Sequence, residues 1–203
     1  MLHAAHGVLA VWICTRTRQC RSAIVQSILG STGLGEYVLN RIGAGGVAMN
    51  LLLMRHAEAA SSGFSSKDHE RPLTARGRNV APKMAEILVE NDLVPVRVLV
   101  SSSKRTQETV QLMLPILGKV EVKVVKKLYQ ASPMTILEMI HKHGNGVDPL
   151  LVVGHNPGLE TTLSNIAGNI IPLPTGAVAH ASVGSGQRSE VLALWRPDDL
   201  PAE

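Results

Sequence analysis

The sequence predicts an α/β fold: a three-layer α/β/α sandwich on a mostly parallel sheet with an antiparallel edge. Three observations predict it. A continuous apolar run at 51–54 and the largely apolar stretches 96–101 and 149–155 read as buried strands. Stretches of helical spacing separate them, as parallel crossovers require. Two last strands, near 177–183 and 191–195, are joined by the turn-rich "GSGQRS" and read as a hairpin, the antiparallel edge.

In chain order, "LLLM" (51–54) is the first strand, and the Ser- and Gly-rich "HAEAASSGFSSKDHERPL" is a loop. A helix follows Thr74, and Pro82 is expected to kink or restart it, because proline lacks the amide hydrogen a helix interior uses. "VRVLVS" is the second buried strand, and "SKRTQETVQLMLPILG" a helix whose last turn Pro115 limits. "VEVKVV" (120–125) alternates as an edge or half-exposed strand does. "MTILEMIHKH" (134–143) is an amphipathic helix closed by Gly144, and "PLLVVGH" a further buried strand. Asn156 as N-cap and Pro157 at the first helical position are expected to open the next helix.

Charge and cysteine usage divide the chain. Residues 1–48 hold four arginines, one glutamate and both cysteines, Cys14 and Cys20, whereas 49–203 hold 16 Lys+Arg against 15 Asp+Glu. The body is therefore nearly neutral, and it offers no basic footprint for nucleic acid. Aromatics are only 2%, which removes the stacking platforms of single-strand binders. A body without cysteine has no disulfide framework and no cysteine nucleophile, which suits a reducing compartment, and we expect a cytoplasmic protein. The apolar run 7–14 is far shorter than the roughly 20 residues a membrane span needs. We expect 1–48 to be an extension outside the fold, flexible or upstream of a true start at Met49, and 49–203 to be one domain. An organelle transit peptide is the alternative for the Arg-rich segment.

In open α/β sheets, ligands bind beyond the carboxyl ends of the strands. Arg55 and His56 end the first strand, Ser101 and Arg105 follow the second, and His155 ends a later one. Two arginines and two histidines converging there suit phosphoryl chemistry. Guanidinium forks match phosphoryl geometry and charge. A neutral imidazole between them is a competent nucleophile, and a second can donate to oxygens that gain charge in the transition state. Taken singly, each residue has a plainer reading as a structural histidine, a solvated arginine or a helix cap.

"LMRHAEA", "ERPLTARGR", "VLVSSSKRTQET", "LLVVGHNPGLE" and "LPTGAVA", in this order, resemble the histidine phosphatase superfamily. More closely, they resemble its SixA-type phosphohistidine phosphatases. The resemblance spans about 50–183. It implies that His56 is the phosphorylated nucleophile, Arg55 and Arg105 the phosphate clamps, and His155 the second catalytic histidine. Arg71 matches a family position at the pocket margin, although pairing with Asp68 or Glu70 would equally explain it. Asn156 touches phosphate or only caps its helix. Three positions depart from the pattern: Ala57 for the commoner glycine, Ser102 for proline and Glu108 for glutamine.

Large superfamily members roof the pocket with a helical insertion. About 50 residues separate Arg105 from His155, already filled by a helix, a strand and a helix, so no cap insertion is expected. An open pocket admits water and a protein side chain. No carboxylate matches the general acid of mutase-like relatives; Glu58 is the nearest candidate. An imidazole leaving group needs less protonation than an alkoxide, its conjugate acid having a pKa of about 6.5. The expected activity is hydrolysis of phosphohistidine on a protein, such as a histidine phosphotransfer domain, with no cofactor and no metal. A small-molecule phosphomonoesterase and a non-catalytic phosphate-binding module are the alternatives. No membrane or nucleic-acid partner is expected, and the oligomeric state is left open.

Overall fold

A computed structural model describes residues 48–61, 67–184 and 189–200. The extension expected at 1–48 lies, but for its last residue, outside the described residues, as does the tip of the final hairpin turn at 185–188. Six strands form one sheet: β1 (Met49–Arg55), β2 (Arg97–Ser101), β3 (Glu121–Val125), β4 (Leu150–Gly154), β5 (Val178–Val183) and β6 (Glu190–Trp195). Their order is β3-β2-β4-β1-β5-β6. The first four are parallel, while β5 runs antiparallel to both β1 and β6. The expected parallel sheet with an antiparallel edge is what forms.

Four helices cover it: α1 (Ala75–Glu90), α2 (Lys104–Leu117), α3 (Pro133–Gly144) and α4 (Gly158–Ala167). Alternation along β1 sorts the core into two layers. Leu52 and Met54 pack with Met84 and Leu88 of α1 and Val110 and Met113 of α2. Leu51 and Leu53 pack with Ile136 and Ile140 of α3 and Leu159 and Leu163 of α4. Leu51, Leu52, Leu53 and Met54 are fully buried, each worth about 1.5–3 kcal/mol of transfer free energy. That is why the run is apolar on both faces. Strand β3 lies at the sheet edge, with Val122 and Val124 exposed.

Two local expectations are corrected. Pro82 does not restart the helix, for α1 is one helix from Ala75 to Glu90 with Pro82 inside it. The buried stripe Gly77, Ala81, Met84, Ala85 and Leu88 holds both halves against the sheet, and this packing outweighs one lost hydrogen bond. Asn156 is not an N-cap and Pro157 is not the first helical residue; Pro157 itself caps α4, which starts at Gly158. The amide of Asn156 is drawn away to Glu160 and to the Leu173 carbonyl. Between α2 and β4 the chain holds only β3, one 3-10 turn and α3, so no cap is inserted there.

Candidate active site

The carboxyl ends of β1, β2 and β4 lie side by side, and their last residues bring the polar cluster together. Backbone bonds fix the first turn after β1: His56 N donates to Gly154 O (3.1 Å), and Gly176 N reaches both Arg55 O (3.1 Å) and His56 O (3.0 Å). Gly176 has φ +80°, and a Cβ there would meet Pro197 at 2.9 Å and Val80 at 3.0 Å. Glycine is needed at that position on both counts. Gly77 serves the same end, since its Cβ would fall 2.2 Å from Glu58 O. The helix start can therefore close on the loop that follows His56.

His56 is 9% exposed. Its Nδ1–H donates to Ala57 O at 2.7 Å, and its Nε2 accepts from Arg105 Nε at 3.2 Å. This pairing leaves the lone pair on Nε2, facing the arginine. Burial, opposed by the Ala57 carbonyl and aided by Arg105, Arg55 and Arg71, pushes the imidazole pKa down to about 4. The ring is thus neutral at pH 7. His155, 5% exposed, stands 5.2 Å away between ring centroids and tilted by 59°. Its Nε2 pairs with Ser101 Oγ (2.8 Å), and its Nδ1 lies 3.4 Å from Arg105 Nη2. Burial and the neighbouring His56 and Arg105 lower its pKa to about 3.

Arg105 is 5% exposed although it lies in a helix's first turn. Its Nη1 donates to Asp68 O (2.6 Å) and its Nη2 to Asp68 Oδ2 (3.0 Å). Arg71 Nη1 takes the other carboxylate oxygen at 2.9 Å, and Tyr129 OH donates to Asp68 Oδ2 at 2.7 Å. These donors, Tyr129 and Arg71 first, hold the Asp68 carboxyl far below the usual carboxylate range. Arg55 is held more loosely: Nη1 donates to Leu173 O at 3.3 Å, while its buried Nε has no hydrogen-bond partner among the described residues. Burial lowers its pKa, against the opposing charge of Glu160.

The structure thus gathers Arg55, His56, Arg105 and His155 into one cluster and sets Arg71 at its margin, paired with Asp68. Asn156 Nδ2 is spent on Glu160 and Leu173, and its Oδ1 has no partner among the described residues. It ties the loop before β5 to α4. Glu58, the candidate acid, turns instead to Thr74 Oγ1 (3.0 Å) and Arg76 (3.8 Å). Sequence reasoning missed Asp68 as a hub and Tyr129 altogether. The Asp-x-x-Arg spacing of Asp68 and Arg71 was the available signal; Tyr129 had none, being 61 residues from its partner. The departures from the family pattern have local roles. Ser102 Oγ meets His69 Nε2 at 3.0 Å, the Ala57 methyl is fully buried in the core against α1 and α2, and Glu108 accepts from Leu73 N at 2.8 Å. Among the described residues, no group of three or more His, Cys, Asp or Glu side chains is placed to hold a metal ion. Nor is any helix among them long and apolar enough to cross a membrane.

Comparison with known proteins gives the cluster a context. Residues 51–132 match the model of the histidine phosphatase superfamily, branch 1. An uncharacterized protein of Mycobacterium tuberculosis is 36% identical over 120 residues, which is 57% of this chain and 72% of that one. An uncharacterized chloroplastic protein of Arabidopsis thaliana is 29% identical over 161 residues, 74% of each chain. Among solved structures, the protein histidine phosphatase SixA complexed with tungstate superposes with a TM-score of 0.67 at 23% identity, covering 75% of this chain and all of that one. The alpha-ribazole phosphatase from Shigella flexneri gives 0.56 at 18%, covering 73% and 97%. With its motifs at the strand ends and its SixA-like fold, the chain belongs to the histidine phosphatase superfamily, branch 1.

Proposed function

We propose that the protein hydrolyses phosphohistidine on a protein substrate, without a metal, through a phosphoryl group carried on His56. Family membership and the site geometry support phosphatase activity; the choice of substrate rests on one observation. Among the described residues, no carboxyl group at the site is available as an acid. Asp68 is held ionised by Tyr129, Arg71 and Arg105, and Glu58 is turned to Thr74. An alkoxide leaving group would depart without a proton donor, whereas a ring-protonated phosphohistidine departs as neutral imidazole.

In the first step the Nε2 lone pair of His56 attacks phosphorus. The substrate's P–N bond breaks, and its electron pair leaves with the imidazole. As Nε2 bonds to phosphorus, the Arg105 Nε–H that it held passes to a phosphoryl oxygen with the fork still fixed on Asp68. Arg55 and Arg71 add positive charge on either side. Once the arriving phosphoryl group takes the Arg105 Nη2–H away from His155 Nδ1, a Ser101 hydroxyl rotated to donate to Nε2 lets Nδ1 carry the proton toward that group. In the second step water attacks phosphorus as the bond to His56 breaks, the electron pair returns to Nε2, and the water's protons leave on the released dihydrogen phosphate. No cap is inserted between α2 and β4, which supports access for that water and for a protein-borne histidine.

The partner in this reading is a phosphorylated protein such as a histidine phosphotransfer domain, and the location is cytoplasmic. Because the Arabidopsis relative is chloroplastic, cell fractionation is the check on location. The substrate is tested by turnover of a phosphohistidine peptide beside sugar and nucleotide monophosphates, with and without EDTA. We expect the peptide to be preferred and EDTA to have no effect. Preference for a phosphoester would favour the small-molecule alternative, and activity lost to EDTA and restored by Mg²⁺ or Zn²⁺ would refute metal independence. No phosphate release from any of them would leave a binding module.

A further inference from the structure

We propose that Asp68 is a positioning residue for phosphoryl transfer: its carboxylate ties Arg71, Arg105 and Tyr129 into one array and presents the inner edge of the Arg105 guanidinium to the phosphoryl group. This rests on the reading that His56 carries that group.

The Arg105 guanidinium has two edges with different partners. The outer edge goes to Asp68, Nη1 to its backbone oxygen at 2.6 Å and Nη2 to Oδ2 at 3.0 Å. The inner edge goes to the histidines, Nε to His56 Nε2 at 3.2 Å and Nη2 to His155 Nδ1 at 3.4 Å. A planar fork held along one edge cannot rotate about its own axis, so the other edge is aimed before any substrate arrives. Asp68 is itself fixed from two further directions, by Arg71 Nη1 on Oδ1 at 2.9 Å and by Tyr129 OH on Oδ2 at 2.7 Å. The Tyr129 ring lies under the same guanidinium, its centroid 6.0 Å from Cζ, and stands edge-on to His155 at 5.4 Å. One carboxylate therefore joins the loop after β1, the start of α2 and the segment after β3.

The competing account makes the carboxylate a stand-in for the phosphoryl group, occupying donors that substrate must reclaim. The geometry favours positioning. Asp68 takes Nη1 and Nη2 and leaves the Nε–H that meets His56 untouched, and one of its two acceptors is a backbone oxygen that no substrate replaces.

The experiment uses the full chain with Asp68→Ala and Asp68→Asn, and measures turnover, vanadate binding and inorganic phosphate binding. Vanadate accepts the His56 lone pair in a five-coordinate mimic of the transition state, whereas phosphate reports the ground state. Misaiming a clamp acts on the transition state, so Asp68→Ala should lower kcat and vanadate affinity about 10- to 100-fold, with KM and phosphate affinity within about threefold. Asp68→Asn, whose amide oxygen can still accept from Arg105 and Tyr129, should recover part of both losses. Tighter phosphate binding with unchanged kcat in Asp68→Ala would show that the carboxylate is a stand-in. Losses no smaller in Asp68→Asn, with a matching fall in melting temperature, would reduce it to a structural residue. Vanadate and phosphate binding do not depend on the leaving group. If phosphohistidine proves the wrong substrate, unchanged vanadate affinity in Asp68→Ala still overturns the proposal, and a 10- to 100-fold loss still supports it.

Discussion

The two arginines nearest His56 are held in different ways. Arg105 spends its guanidinium on four contacts, two to Asp68 and two to the histidines. Arg55, one residue from His56, makes a single 3.3 Å bond to Leu173 O and keeps a buried Nε without a partner among the described residues. One clamp is aimed in advance, and the other supplies charge with slack. In a transfer step whose catalysis is mostly positioning and electrostatics, the aimed clamp should matter more to rate.

Replacing each arginine by lysine separates aim from charge, since lysine keeps the charge and loses the fork. Arg105→Lys should lower kcat by about 10²–10³, the usual cost of losing a preorganised donor. Arg55→Lys should cost about tenfold, because one long bond is all that is lost. Equal losses in kinetic assays would erase the distinction between the two sites.

The histidines give a pH test of intermediate size. With pKa values of about 4 and about 3, both rings stay neutral well below pH 6.5. The acid limb of kcat/KM should lie near pH 4 once uncatalysed hydrolysis is subtracted, and a limb near 6.5 would mean that the site does not hold His56 neutral. Stability carries the same signature. Above 6.5 the histidines are neutral whether folded or unfolded and contribute no pH dependence. Below it the unfolded chain binds protons that the folded one refuses, so stability falls as pH drops from 6.5 toward 4. His56→Gln should remove on the order of 2–4 kcal/mol of that fall, measured by urea unfolding at both pH values.

The smallest expected effect concerns the extension. A chain beginning at Met49 should keep its turnover number within about twofold and its melting temperature within about 2–4 °C, a change near 1 kcal/mol at this size. A much lower melting temperature would place part of 1–48 in the fold.

The sheet, and the convergence of Arg55, His56, Arg105 and His155 at one edge of it, were legible because they rest on local signals. Apolar runs such as "LLLM" mark strands buried on both faces, and polar residues at the ends of those runs mark the carboxyl edge. What was illegible depends on contacts far apart in sequence. Nothing in "KKLYQ" says that Tyr129 will reach Asp68. Local rules also misled where tertiary contacts outweighed them. Pro82 is tolerated because the buried stripe of α1 holds the helix together, and Asn156 abandons its cap position because Glu160 and Leu173 O compete for its amide.

The most direct test of the central claim is to trap phosphoryl label on the protein during turnover. Label is expected on His56, labile in acid and stable in base, and absent from His56→Ala together with activity. Label on another residue, or full turnover by His56→Ala, would contradict it.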